Sequence, residues 1–245
     1  MAVVEKTIDI IGDEAFCDIL ISRTIPEGMP VDFYDEAVKK LRVRAITGID
    51  RLESVRFPNV TDVRTYGISE NPALKRISLP ACRTLGSNSL RGNPVLEEVD
   101  APLVTSSGEF FLEGSRVLTS VSFPNMTTTG SGAFYCCYAL AEVNLPKLKS
   151  VPSYTFISCT SLEQLDLPSV TSISNEAFKN CSSLMTVNIG PGIKTISATA
   201  FENTPDGMVI NLPVAEGVIA NAPWGATNAV IHYNTPYSGN VPIPD

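Results

Sequence analysis

Leucine returns every 22 residues along the middle of this chain, at Leu52, Leu74, Leu96, Leu118, Leu140, Leu162 and Leu184. Three places on stand Val55, Ile77, Val99, Val121, Val143, Leu165 and Val187. Two further on stand Phe57, Leu79, Ala101, Phe123, Leu145, Leu167 and Ile189. Alternation of period two over so short a run predicts a strand with its apolar pair pointing inward and the residue between them outward. The next position is Pro58, Pro80, Pro102, Pro124, Pro146 and Pro168, and Gly190 breaks the series. Proline has no N–H and so ends each strand's part in a hydrogen-bond ladder.

The remaining positions of the unit are also periodic. Five places after proline the chain turns inward again at Val63, Leu85, Val151 and Ile173, whereas Ser107 and Thr129 hold that slot in two units and are expected to loosen the core. A second buried column is expected at Ile68, Leu90, Leu112, Phe134, Phe156 and Phe178. The slot 19 residues after each leading leucine reads Asn71, Asn93, Ser115, Cys137, Cys159, Cys181. Stacked asparagine satisfies turn backbone, and buried cysteine packs as a small hydrophobe. A ladder of free thiols is therefore expected, with a disulfide or metal as the alternative reading. Cys82 falls on a core slot; Cys17 and Cys136 fall on none. No single unit buries its own apolar faces, so the units must stack into a rod.

The unit Leu-x-x-Val-x-Leu-Pro-x-Val-Thr-x-Ile-x-x-x-Ala-Phe-x-x-Cys-x-x resembles the BspA-like class of bacterial leucine-rich repeats, most clearly from Leu118 to Ser183 and over residues 49–213 in all. The resemblance implies a leucine-rich-repeat solenoid with a parallel β-sheet on one face and irregular turns on the other. The segment Asn211–Tyr233 is similar to a terminal segment that follows such repeats in proteins of gut bacteria and their phages. Surface adhesins and phage or prophage structural proteins are the roles the resemblance implies.

Residues 1–48 leave the pattern, although Ile11–Cys17 mimics half a unit. Strand-like runs at Val3–Ile11 and Ile19–Ile25 flank Asp32–Val43, where an N-cap residue and helix formers predict a helix. This part is read as a small α/β N-terminal cap, or a docking module through which a homo-oligomer forms. Residues 49–213 are then the solenoid, of seven repeats and a terminal strand. Residues 214–233 form a C-terminal cap with a short helix at Val214–Ala222, a plug at Trp224 and a last strand at Ala229–Tyr233. Residues 234–245 are an extended, Pro-rich, flexible tail or a short attachment peptide.

Composition narrows the chemistry. A net charge of -8 on 245 residues argues against a nucleic-acid partner, which requires clustered Lys and Arg. No apolar run of about 18 residues is present, so no membrane insertion is expected. The start of the chain has no basic stretch followed by a continuous apolar one, as a secretory signal would. A virion or the cytoplasm of the producing bacterium is therefore the expected location, or the cell surface if export needs no signal or the chain has been trimmed. The single histidine, His232, is read as structural, so no Ser–His–Asp or Cys–His site is expected. Glu98, Asp100, Glu142 and Asp166 could in principle supply a carboxylate pair, but a regular sheet implies no cleft. Neither a phosphate loop nor metal-ligand spacing occurs, and no cofactor is implied. The sequons at Asn59, Asn125 and Asn180 are by-products of the repeat.

Surface remains. Aligning the units places Arg56, Ser78, Asp100, Ser122, Asn144, Asp166 and Asn188 in one outward column, with Ser54, Arg76, Glu98, Ser120, Glu142, Gln164 and Thr186 beside it. This polar face, about 29 Å long at ~4.8 Å per strand, is the candidate partner-binding site. Phe110, Phe111, Tyr135, Tyr138 and Tyr154 form a second candidate patch on the turns. The reading is a non-enzymatic recognition protein whose partner is a protein or cell-envelope component. A phage or prophage structural or receptor-recognition protein comes first, a cell-surface adhesin second.

Overall fold

The computed structural model describes residues 30–240 together with the backbone of residues 2–4 and 10–11. Its lateral wall consists of β1 (Ala2–Val4), β3 (Val31–Tyr34), β6 (Leu52–Arg56), β9 (Arg76–Ser78), β11 (Glu98–Asp100), β13 (Ser120–Ser122), β14 (Glu142–Asn144), β16 (Gln164–Leu167), β18 (Thr186–Ile189), β20 (Val209–Asn211) and β21 (Val230–His232). A second wall carries β2 (Ile10–Ile11), β4 (Lys40–Leu41), β7 (Asp62–Val63), β10 (Thr84–Leu85), β12 (Ser106–Ser107), β15 (Ser150–Val151), β17 (Ser172–Ile173) and β19 (Thr195–Ile196). On the turn side lie β5 (Ile46–Thr47) and β8 (Ile68–Ser69). Every pairing is parallel, and in the regular units it joins residues 22 apart, as in Val55↔Ile77 and Val99↔Ile77.

The interior is a set of columns. All the leading leucines are fully buried, each stabilising by roughly 1.5–3 kcal/mol on area alone. Phe134, Phe156, Phe178 and Phe201 stack with ring centroids 5.2, 5.4 and 5.0 Å apart and planes within 11°. That spacing follows the distance between parallel strands, and each offset pair adds ~0.5–1.5 kcal/mol beyond burial. At Ser107 and Thr129 polar side chains replace the apolar column. Their hydroxyls bond each other at 2.6 Å, while the second wall narrows there to a single Ser106↔Thr128 bridge. The lateral wall has two seams of its own, between β11 and β13 and between β14 and β16.

Two turn positions in each rung require left-handed backbone. Arg44, Tyr66, Asn88, Phe110, Gly132, Tyr154 and Glu176 have φ between 52 and 65°. Gly48, Glu70, Gly92, Gly114, Cys136, Ser158 and Asn180 have φ between 58 and 77°. Cys136 thus has a slot after all, a turn rather than a core position. Gly190 takes the proline slot in the lengthened seventh unit because its backbone lies against the preceding rung. A Cβ there would overlap the Pro168 carbonyl.

Asparagine and cysteine serve the turn slot by the same bond. Asn71 and Asn93 donate Nδ2 to the carbonyls of Ile46 and Ile68, 25 residues back. Cys137, Cys159 and Cys181 donate Sγ to Leu112, Phe134 and Phe156 with the same offset, at 3.3, 3.3 and 3.0 Å. These are free thiols, so the ladder is one of sulfur-to-carbonyl contacts. Ser115 is too short to reach, and its buried Oγ has no partner.

Three expectations about the ends are corrected. The helix expected over Asp32–Val43 is absent, because Val31 and Phe33 alternate inward as strand residues and Val38, Leu41 and Ile46 continue the buried columns. Asp35 caps a local turn, accepting from Ala37 N–H at 2.8 Å, instead of starting a helix. The lateral sheet therefore runs unbroken from β1 to β11 across residue 48. Val214–Ala222 forms turns, and no helix occurs among the described residues. Trp224 is fully buried, its indole N–H donating to Ala220 O at 2.7 Å. The tail over residues 234–240 does not run free; Asn234 and Thr235 N–H bond back to Val214 and Leu212 carbonyls. Cys17 and the run Ile19–Ile25 lie outside the described residues.

Replacing Ser115 by cysteine should place a longer donor within reach of the Leu90 carbonyl and remove the orphaned hydroxyl. Chemical denaturation should show stabilisation of about 1 kcal/mol; no gain, or a loss, would refute the slot's proposed chemistry.

Candidate functional site

The two outward columns assemble in the expected register. Ser54, Arg76 and Glu98 lie side by side, as do Arg56, Ser78 and Asp100. Ser120 pairs with Glu142, Ser122 with Asn144, Gln164 with Thr186 and Asp166 with Asn188. The columns run further than the repeat pattern indicated. Asp32 and Tyr34 extend them at one end, and Val209, Asn211, Val230 and His232 at the other. Arg56 lies over the Tyr34 ring at 5.7 Å, and Arg76, Glu98, Asp100, Ser120 and Glu142 are exposed. Basic groups therefore gather on the early rungs and carboxylates on the middle ones.

Many of these polar groups are engaged with their own neighbours. Ser54 donates to Asp32 at 2.5 Å, Ser78 to Asp100 at 3.0 Å and Asn144 to Ser122 at 3.0 Å. At the C-terminal end the pattern becomes a continuous relay. His232 Nδ1 lies 2.9 Å from Asn211 Oδ1, Asn211 Nδ2 donates to Asn188 Oδ1 at 2.7 Å, and Asn188 Nδ2 donates to Asp166 Oδ1 at 2.7 Å. The second oxygen of Asp166 accepts the Asn240 backbone N–H at 2.6 Å. Asp166 and Asn188, expected to face solvent, are consequently 6% exposed each. Repeat alignment could not show this, because the covering segment comes from 74 residues away. A groove of about 720 Å³ opens directly ahead of Asn240, lined by residues of β13, β14 and β16 that include Ser122, Glu142, Asn144 and Gln164.

The turn-side aromatic patch divides. Phe111 is core, whereas Tyr138 and Tyr154 are exposed and Phe110 and Tyr135 half-buried. Phe110 meets Tyr135 edge-on at 6.1 Å, and a shallow groove of about 520 Å³ joins them to Arg91, Glu113, Tyr154, Ile157 and Glu176. Arg91 and Glu113 pair at 3.1 Å.

Reactive chemistry finds little footing. Burial pushes the thiols of Cys82, Cys137 and Cys181 up to about 12 and that of Cys159 well above its ordinary value. His232 is held by Asn211 rather than by a nucleophile. Among the described residues no group of three or more His, Cys, Asp or Glu side chains could hold a metal ion, and no helix is long and apolar enough to cross a membrane.

Known proteins place the geometry in context. A family profile described as BspA type leucine-rich repeat region matches in six copies, over residues 2–106 and 96–207. No curated protein sequence matches the chain. A leucine-rich repeat protein from Eubacterium ventriosum aligns with a TM-score of 0.52 at 19% identity, over 79% of this chain and 62% of its own. The chain thus spans less than two thirds of that protein's length. A leucine-rich cell surface protein from Faecalibacterium prausnitzii aligns at 0.44 and 17% identity, over 92% and 83% of the two chains. For the pneumococcal vaccine antigen PcpA the values are 0.44 and 13%, over 86% and 80%. At such identities the likeness is one of fold.

At pH 8 a thiol whose pKa is near 12 is only about one part in ten thousand thiolate, the reactive form. Iodoacetamide should therefore leave Cys82, Cys137, Cys159 and Cys181 unmodified in the folded protein and label all four in urea. Peptide mapping by mass spectrometry reads the result; labelling of any of the four in the native state at the rate of a free thiol would contradict it.

Proposed function

The chain belongs to the BspA-type leucine-rich repeat family, and from that premise we propose that it is a non-enzymatic recognition protein that holds a protein or cell-envelope partner on its lateral strand face. The carrying observation is the pair of polar columns kept in register along the lateral wall, which extends beyond the seven repeats at both ends. A stacked parallel sheet fixes outward side chains on a rigid lattice, so little ordering entropy opposes binding. The gradient from Arg56 and Arg76 to Glu98, Asp100 and Glu142 favours a partner with complementary charge, which sets orientation and encounter rate. Donation to Asp166 from Asn188, Asn240 and Gln164 also argues against its use as a catalytic acid or base.

The ends have separate roles in this reading. Residues 1–48, which include a rung of the rod, supply a docking module or a contact between copies, and residues 214–233 cover the last rung. The setting is the bacterial cell surface or a virion. The cell-surface protein of Faecalibacterium prausnitzii shares the fold at a distance, and none of the three similar proteins described is named as a virion component. The aromatic turns give a second, smaller candidate surface.

Two experiments test this. In pull-downs from cell-envelope extracts, Arg76→Glu and Asp100→Lys should each reduce recovery of the wild-type partner at least fivefold; equal recovery by all three proteins removes the strand face as the binding site. Protease shaving of intact source cells should release fragments of the chain if it is displayed on the surface. Recovery of the intact chain solely in purified phage particles would favour the virion setting instead.

A further inference from the structure

The described part of the tail, Thr235–Asn240, reaches from Leu212, just beyond β20, to Asp166 on β16, two rungs back along the rod. Its path is fixed at both ends: Thr235 N–H donates to Leu212 O at 2.9 Å, and Asn240 N–H donates to Asp166 Oδ2 at 2.6 Å. Between them Gly239 passes so close to the sheet that a Cβ would sit 2.6 Å from the Asp166 carboxylate and overlap the Tyr237 hydroxyl. Burial, and then the charge of Asp166, raises the Tyr237 phenol above its ordinary value, as expected for a ring tucked against the carboxylate. The receptor side is equally ordered, since Asp166 is oriented by Asn188, Asn188 by Asn211 and Asn211 by His232. Among the described residues, the groove that Asn240 helps to line continues over β14 and β13.

We propose that the lateral face is a receptor for an extended peptide laid along the solenoid axis, with a glycine over Asp166 followed by a residue whose N–H the carboxylate captures, and that residues 235–240 fill its C-terminal end in cis. The proposal deepens the reading of the lateral face as the recognition surface by naming the chemistry of what it takes. A carboxylate that selects a backbone N–H excludes proline after the glycine, and the close approach excludes any side chain before it. Along the groove Ser122, Asn144 and Gln164 supply donors and acceptors to a backbone, and Glu142 adds an exposed carboxylate. An external peptide competes with the tail, which a short connection holds at a millimolar effective concentration.

The test uses the 245-residue chain carrying Gly239→Val, whose side chain overlaps Asp166 and Tyr237 and should expel the tail while every receptor residue is kept. The probe is the capped hexapeptide Thr-Pro-Tyr-Ser-Gly-Asn, with binding read by NMR chemical shifts and folding by circular dichroism. Saturable binding at about 0.1 mM or tighter is expected, an order of magnitude below the tail's millimolar effective concentration, with the wild-type chain at least tenfold weaker because its site is filled. Adding Asp166→Ala to the Gly239→Val chain should weaken binding at least tenfold, and so should valine for glycine in the peptide, a change that leaves the protein untouched. Absence of saturable binding to the folded Gly239→Val chain up to ~10 mM, or equal binding by the wild type, would overturn the proposal. The assay needs no outside partner, so its failure would leave the pull-down result standing, and an empty pull-down would leave this result standing.

Discussion

Every column in this protein depends on the 22-residue register between neighbouring rungs. One rung has strands of two to five residues and no interior of its own; only when the next rung supplies the same side chain one strand spacing away does an apolar column exist. Burial, ring stacking and backbone pairing are therefore one constraint seen three ways. A residue is judged by what its copies do on either side, which is why stability here is a sum of neighbour terms. The Phe134–Phe201 stack shows the constraint at its tightest, with near-parallel rings at every step.

Because the register dominates, slots tolerate unlike residues that make the same bond. Asparagine and cysteine differ in polarity, yet both deliver a donor to the carbonyl 25 residues back. The two left-handed turn positions accept tyrosine, arginine and glutamate as readily as glycine, although each non-glycine residue there carries about 1–2 kcal/mol of backbone strain. That strain persists because rung-to-rung hydrogen bonds over-determine the turn, such as Tyr66 N–H to Ser87 O.

The same logic explains what the sequence made legible. Leucine, proline and cysteine at fixed intervals disclosed the rod, its lateral face and the register of both outward columns. The rung at residues 30–48 was hidden although Phe33, Val38, Leu41 and Ile46 keep the period. Asp35 stands where the second apolar strand residue belongs and Glu36 where proline belongs, so the segment reads as a helix start. Its burial is decided by β6 packing against it, which overrides local helix preference. The docked tail was hidden for another reason: its partner Asp166 is distant in sequence and no periodic signal connects them.

Docking of the tail changes what the lateral face offers. Seen from the repeats alone, it is one polar strip. Among the described residues, the docked segment 235–240 divides it into a closed end at β16 to β20, where Asp166, Asn188 and Asn211 are spent on the relay and the tail, and an open end from β6 to β14. The open end holds Arg56, Arg76, Glu98, Asp100 and Glu142 with side chains exposed, and exposed charges set encounter and orientation more than affinity. The closed end holds Asp166 and Asn188, both almost fully desolvated, where a hydrogen bond to a charge is strong and its loss is expensive. A partner that engages only the open end meets charge without a buried anchor; one that also displaces the tail gains Asp166. Selectivity then lies in whether an incoming chain can present glycine and a free N–H where the tail already does.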